Sequence, residues 1–182
     1  MSRHHLSADL ASLVDLFYPD PSLLGDFQNV GPTEMPLSYQ TLLAHQNHMT
    51  VTVERFHGST VDVRVLATRS DDHHYSRKIL LTRQSDGAVV QFGLVRIDLR
   101  YLNAEVRAAV ESRRIPLGRI LIENNVLREV HLTHLWQVTM GNDLAALFGR
   151  PAGGVTYGRT AIIDCNREPA IQLLEIVAPV EA

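Results

Sequence analysis

The chain has 182 residues, 45% hydrophobic and 20% charged, a globular balance with enough length to bury a core without covalent staples. A formal net charge of −3 and a pI near 6.3 argue against the global basic field that holds nucleic acid or acidic membranes. A single cysteine, Cys165, excludes a disulfide framework within the chain and points to a reducing, cytoplasmic setting, while no apolar run reaches transmembrane length and the start at Met1-Ser2-Arg3 lacks the apolar segment of a signal peptide.

Ser7 to Phe17 reads as a helix, with Leu10, Leu13, Val14 and Phe17 on one face and Ser7 capping the start. Residues 18–36 hold four prolines and two glycines and read as an irregular connector. Pro36 opens a second helix, with Tyr39, Leu42, Leu43 and Gln46 at helical spacing. From Met49 the period changes to two. Met49, Val51 and Val53 alternate with Thr50, Thr52 and Glu54, and Val61, Val63 and Val65 alternate with Asp62 and Arg64. This predicts two half-buried strands joined by a turn at His57-Gly58-Ser59. Tyr75–Arg83 and Ala88–Leu99 read as a strand pair around the hairpin signal Ser85-Asp86-Gly87. A helix over Ala104–Ser112 and another from Pro116 through Leu121 follow, then an extended stretch from Val126 to Thr139 and a helical turn over Asp143–Phe148 ended by Gly149. Val155–Cys165 and Ala170–Val177 are the last strands, joined by Asn166-Arg167-Glu168-Pro169. Tight turns between neighbouring strands make the sheet antiparallel. The expected architecture is α+β, one domain over residues 1–182 in which 1–36 is an N-terminal helix and connector.

Two charges interrupt apolar strand faces. Arg77 shares a face with Tyr75, Ile79 and Leu81, and Glu175 shares one with Leu173 and Val177. A buried charge is costly unless paired. Either Arg77 is an anion site and Glu175 an acid or base tuned by burial, or the two form an internal ion pair, or the faces are swapped and both look at water. The opposite face of the Arg77 strand carries Ser76, Lys78 and Leu80, so the pattern leaves these readings open. Arg159 shares a face with Tyr157, Ala161 and Ile163 and reads as a second buried cation or a solvated edge position. Pro116-Leu117-Gly118-Arg119 starts a helix with free backbone N–H groups, which favour anions.

Nine histidines raise a metal reading. His73 and His74 point to opposite faces of a strand, as do His131 and His134 in an extended segment; His45 and His48 form the best-placed pair. No HExxH, no paired CxxC and no close carboxylate cluster accompanies them, so no metal is expected. Cys165 has no nucleophile context and reads as a structural thiol, and Gly153-Gly154 as a turn rather than a phosphate loop.

Five segments occur in the order found in chorismate pyruvate-lyase-like proteins. They are His48-Met49-Thr50-Val51-Thr52-Val53-Glu54, Tyr75-Ser76-Arg77-Lys78-Ile79-Leu80-Leu81, Pro116-Leu117-Gly118-Arg119-Ile120-Leu121, Tyr157-Gly158-Arg159-Thr160 and Leu173-Leu174-Glu175. The resemblance runs from Leu42 to Val177. It implies a single antiparallel sheet with flanking helices, a ligand enclosed under flap-like segments, and pocket residues at Met49, Arg77, Leu117 and Glu175, with Arg159 at a family arginine. Two departures bear on substrate detail. Ile115 precedes Pro116 where the family usually has threonine, and the link from Met49 to Arg77 is short.

The activity so implied is conversion of chorismate to 4-hydroxybenzoate and pyruvate in quinone biosynthesis, driven by aromatisation without metal or cofactor. Arg77 would hold a carboxylate, with backbone N–H groups near Met49 and Leu117 sharing its charge. Glu175 would contact the ring hydroxyl as general acid or base. The expected partners are chorismate and its aromatic product, with no nucleic acid and no membrane, in a monomer or homodimer. The same fold also serves as the effector-binding domain of winged-helix repressors, so a non-enzymatic aromatic-acid sensor is the alternative; the segment before Met49 is too short and not basic enough for a winged helix. A related lyase giving another hydroxybenzoate isomer is a third reading.

Overall fold

Seven strands build one sheet in the computed structural model, which describes residues 8–180. They are β1 (Gly25–Val30), β2 (Val61–Ser70), β3 (His74–Arg83), β4 (Val89–Asp98), β5 (Arg128–Met140), β6 (Val155–Cys165) and β7 (Glu168–Val177), in the spatial order β1-β5-β6-β7-β4-β3-β2 with every neighbouring pair antiparallel. The helices are α1 (Ala8–Asp15), α2 (Leu37–Leu43), α3 (Met49–His57), α4 (Ala104–Glu111), α5 (Leu117–Glu123) and α6 (Asn142–Leu147). The α+β class, the antiparallel sheet and the flanking helices agree with the sequence reading. The cap expected at Ser7 lies outside the described residues.

The central strands β4 and β7 are buried on both faces, which is why they read as near-continuous apolar runs. One face packs Leu80, Phe92, Leu94, Trp136, Leu174 and Ile176 against α1 and α6. The other face is divided. Tyr75, Val95, Ile97, Ile163 and Leu173 meet α4 and α5, whereas Ile79, Leu81, Tyr157 and Val177 meet α2 and α3. Each such side chain removed from water stabilises the fold by roughly 1.5–3 kcal/mol. The polar residues of β3 show how differently its faces treat charge. On the first face Lys78 donates to the Tyr18 hydroxyl (3.1 Å) and to Asp143 (3.2 Å), and Tyr18 donates to Asp143 in turn. On the second face Arg77 is buried beside the seam between the two helix pairs.

Two expectations are corrected. Met49 to Glu54 forms a helix rather than a strand. Met49, Thr50 and Val53 are buried at helical spacing while Val51 is 37% exposed. The β-branched alternation mimics a strand, but packing of this segment against α2, α5 and β2 overrides it. The turn expected at His57-Gly58-Ser59 accordingly joins a helix to a strand, with Gly58 in the left-handed conformation (φ 61°) that closes α3. The connector over 18–36 contains an edge strand, β1, with Phe27 and Val30 buried and Gly25↔Met140 to Val30↔Leu135 paired. Its prolines all lie outside the paired stretch, so none removes a ladder hydrogen bond.

Candidate functional site

The seam on the second sheet face opens into a pocket. Its floor is set by strand register. Ile79, Gly93, Glu175 and Arg159 lie side by side across β3, β4, β7 and β6. The next row toward α5 is Arg77, Val95, Leu173 and Ala161, and the row toward α2 begins Leu81, Gln91, Val177. The roof comes from His48, Met49 and Thr50 at the start of α3 and from Pro116, Leu117 and Gly118 at the start of α5. These two helix starts approach closely at Gly118, where an added Cβ would lie 2.9 Å from Thr50 Oγ1 and 3.3 Å from His48 Cβ. About 500 Å³ between floor and roof is unfilled by protein atoms, part of it continuous with solvent.

Met49, Arg77, Leu117, Arg159 and Glu175, each singled out from the sequence, all line this pocket. Their roles differ. Arg159 is completely buried. Its Nε donates to Glu175 Oε2 (2.8 Å), Nη1 to the His45 carbonyl (2.8 Å) and Nη2 to the Asn47 carbonyl (2.9 Å). It thereby ties the segment between α2 and α3 to the sheet and holds the start of α3 over the floor. Glu175 is paired with Arg159, not with Arg77, which removes the internal Arg77–Glu175 ion pair from the readings left open by the sequence. The swapped-face reading also goes, since Arg77 is 1% and Glu175 8% exposed. The solvated-edge reading of Arg159 goes with them, because β6 is an interior strand.

Arg77 has the opposite character. Its Nε and Nη1 have no hydrogen-bond partner, and burial pulls the guanidinium's pKa down from its ordinary value. Arginine stays protonated through such shifts. The result is a desolvated cation with free, forked donors at the pocket wall, the arrangement that favours a carboxylate or phosphate. The first turn of α3, whose start has no side-chain cap, contributes His48, Met49 and Thr50 to the lining of the same space.

His48 closes one side. Its Nε2 accepts from Arg128 Nε (2.8 Å), and burial, then the charges of Arg128 and Arg159, lower its pKa to about 4. Burial and then Arg159 likewise lower the pKa of His45. The His48 ring is therefore neutral near neutral pH, with Nε2 as an acceptor, while His45 donates from Nε2 to the Leu42 carbonyl and accepts at Nδ1 from the Asn47 N–H. Among the described residues no three His, Cys, Asp or Glu side chains gather as a metal site would need. Cys165 is buried, and burial followed by Asp164 pushes its thiol up to about 11, the state of an unreactive structural cysteine.

The sequence reading missed Gln91 and Gly93 on the floor. A signal for Gln91 existed: an amide within the apolar run Val89-Val90-Gln91-Phe92, on a strand with no exposed face. Gly93 offered only its small size.

No protein-family model and no curated protein matches the chain. Solved structures do. The chain is similar to PhnF from Mycobacterium smegmatis, with 12% identity and a TM-score of 0.57 over 74% of this chain and 64% of that one. It is similar to the effector domain of the same protein, with 12% identity and a TM-score of 0.51 over 83% and 91% of the two chains. A third likeness is to gene product SA0254 from Staphylococcus aureus subsp. aureus N315, with 9% identity and a TM-score of 0.51 over 74% and 90%. The chain thus spans less than two thirds of PhnF. At these identities the likeness establishes the fold alone, a single antiparallel sheet with flanking helices of the chorismate lyase-like kind, shared with the effector domain of PhnF. The lyase expectation, and with it the enzyme, chorismate and quinone-biosynthesis readings, is corrected by the same finding, since the likeness is to the effector domain of PhnF. No helix among the described residues is long and apolar enough to cross a membrane.

Proposed function

We propose that this chain is an effector-binding domain that holds a small organic anion, an aromatic carboxylate, under the starts of α3 and α5 without converting it. The observation that carries this reading is Arg77, buried to 1% exposure at the pocket wall with two donors unpaired. A buried, unpaired cation costs several kcal/mol unless something anionic satisfies it, and an anion brought into the pocket would do so. Apolar side chains flank Arg77 in the lining, Val95, Leu117, Ile163 and Leu173 among them, and suit a flat hydrocarbon body. Output would follow from geometry: a ligand beneath two helix starts that touch at Gly118 sets their spacing, and that spacing would be read by a DNA-binding partner domain.

The test is calorimetric titration of the protein with a panel of benzoates, with chromatography of the recovered ligand. Arg77→Ala should weaken binding by about 2–5 kcal/mol while the ligand is recovered unchanged. A thermal melt of the variant separates lost binding from lost folding, since Arg77→Ala also removes a packed side-chain stem. Unchanged affinity in Arg77→Ala, or chemical conversion of the ligand, would overturn the proposal.

A further inference from the structure

The pocket floor carries a second unsatisfied polar side chain, at the far end from Arg77. Gln91 is 2% exposed, lines the pocket, and its Oε1 has no hydrogen-bond partner. Its lateral neighbours are Leu81 on β3 and Val177 on β7, neither of which has a side-chain donor. Leaving a buried carbonyl oxygen unpaired is costly, so a site that keeps one does so at a loss unless a ligand supplies the donor. Arg77 stands opposite Val95, four residues along β4 from Gln91, an interval of about 13 Å between Cα atoms that shrinks as both side chains reach inward. Gly93 lies midway and presents no side chain, so the floor between the two polar ends is open. The arrangement has polarity: a cation with free donors at one end, an amide acceptor at the other, and between them a row in which Ile79 and Gly93 lie beside the mutually paired Glu175 and Arg159.

We infer that Gln91 is a specificity-determining residue, whose Oε1 accepts a hydrogen bond from an O–H or N–H group on the part of the ligand remote from the anion. The inference rests on the effector-binding reading and narrows its ligand class to compact acids that carry a hydroxyl or primary amine opposite the acidic group. An acid that ends in a methyl group fills the same space but buries the Gln91 oxygen unpaired. The discrimination arises from that unpaired acceptor rather than from shape.

The experiment compares 4-aminobenzoate with 4-methylbenzoate, a donor and an apolar group of nearly equal size. It measures dissociation constants for the wild-type protein, Gln91→Met, Gln91→Glu and Arg77→Ala. The wild type should prefer the amine by about tenfold or more, Gln91→Met should bind the two acids within about twofold, and Gln91→Glu, which keeps an acceptor, should retain the preference. Arg77→Ala should lose both acids. If the wild type does not discriminate, or if Gln91→Met keeps the preference, the assignment of Gln91 is wrong while Arg77-dependent binding leaves the effector reading standing. If neither acid binds, or binding ignores Arg77, the effector reading fails and the inference with it. The wild-type comparison needs no variant to fold, so the assignment remains exposed to refutation even if Gln91→Met is unstable.

Discussion

Replacing Arg159 by methionine tests the claim that this arginine positions the roof rather than holding the ligand. The substitution keeps much of the side-chain volume and removes the hydrogen bonds to Glu175 Oε2 and to the carbonyls of His45 and Asn47, between 2.8 and 2.9 Å, together with a longer contact to His45 Nδ1 (3.4 Å). Breaking a buried ion pair from one side costs about 3–5 kcal/mol, because the remaining charge is left uncompensated. Glu175 is 8% exposed and has little water to turn to. Taking about 4 kcal/mol, and 2–4 °C per kcal/mol for a chain of this size, the melting temperature should fall by about 8–16 °C. Urea titration and a thermal melt measure both quantities. A second arm separates the charge from the packing. In Arg159→Met combined with Glu175→Leu no charge is stranded, so the double variant should recover at least about half of the lost stability. Hydrogen exchange at Gln46–His48 should rise in the single variant, since the clamp on that segment is gone. A single-variant cost below about 1 kcal/mol, or a double variant destabilised by the sum of the two single changes, would refute the positioning role.

Three further outcomes follow from the same geometry. His48 has a pKa of about 4 in the folded chain against 6.5 for the free side chain, so the folded state binds fewer protons than the unfolded state between those values. Its contribution to stability is complete above pH 6.5 and is lost as the pH falls toward 4; urea midpoints across that window should drop less steeply in His48→Gln, and an unchanged slope would exclude the histidine as the source. Cys165, with its thiol pushed up to about 11, should not react with a thiol reagent in the native protein and should react completely in denaturant. Gly118→Ala puts a Cβ 2.9 Å from Thr50 Oγ1 and should force α5 away from α3, weakening benzoate binding by about tenfold, with Thr50→Ala in the same chain restoring much of it; full affinity in Gly118→Ala alone would show that the spacing of the helix starts does not matter.

The sheet was legible because its strands carry the two signals that survive without tertiary context: period-two or continuous apolar runs, and turn residues between them. β3, β4, β6 and β7 fall within a few residues of their expected bounds. The segment Met49–Glu54 was not legible, since alternating methionine, valine and threonine satisfies both a two-residue and a helical period over so short a stretch. Its helical state is decided by packing on α2, α5 and β2, which the residue pattern of the segment itself does not display. β1 was hidden for a related reason. An edge strand needs only Phe27 and Val30 on buried positions, a demand too light to stand out against flanking prolines.

The site was half legible, and the missing half lies in register. Strand parity placed Arg77, Arg159 and Glu175 each on an apolar face, yet it could not say which arginine the carboxylate would take. That choice is made at the β6–β7 hairpin. Next to the turn, Asp164 pairs with Pro169; beyond it, Ile163 pairs with Ile171, so Ala170 is an extra residue in β7. Without that bulge, counting straight back from Asp164↔Pro169 puts Arg159 opposite Leu174 and turns Glu175 to the other face of the sheet. With it, Arg159 stands opposite Glu175. Pro169 is the local cause, since proline has no N–H for the ladder and sits in strands at bulges or edges. One residue of slippage at the hairpin therefore neutralises Glu175 through Arg159, and Arg77, one row across the floor, remains without a carboxylate of its own. The unpaired arginine on which the effector reading depends is, in this sense, a consequence of where a proline falls in β7.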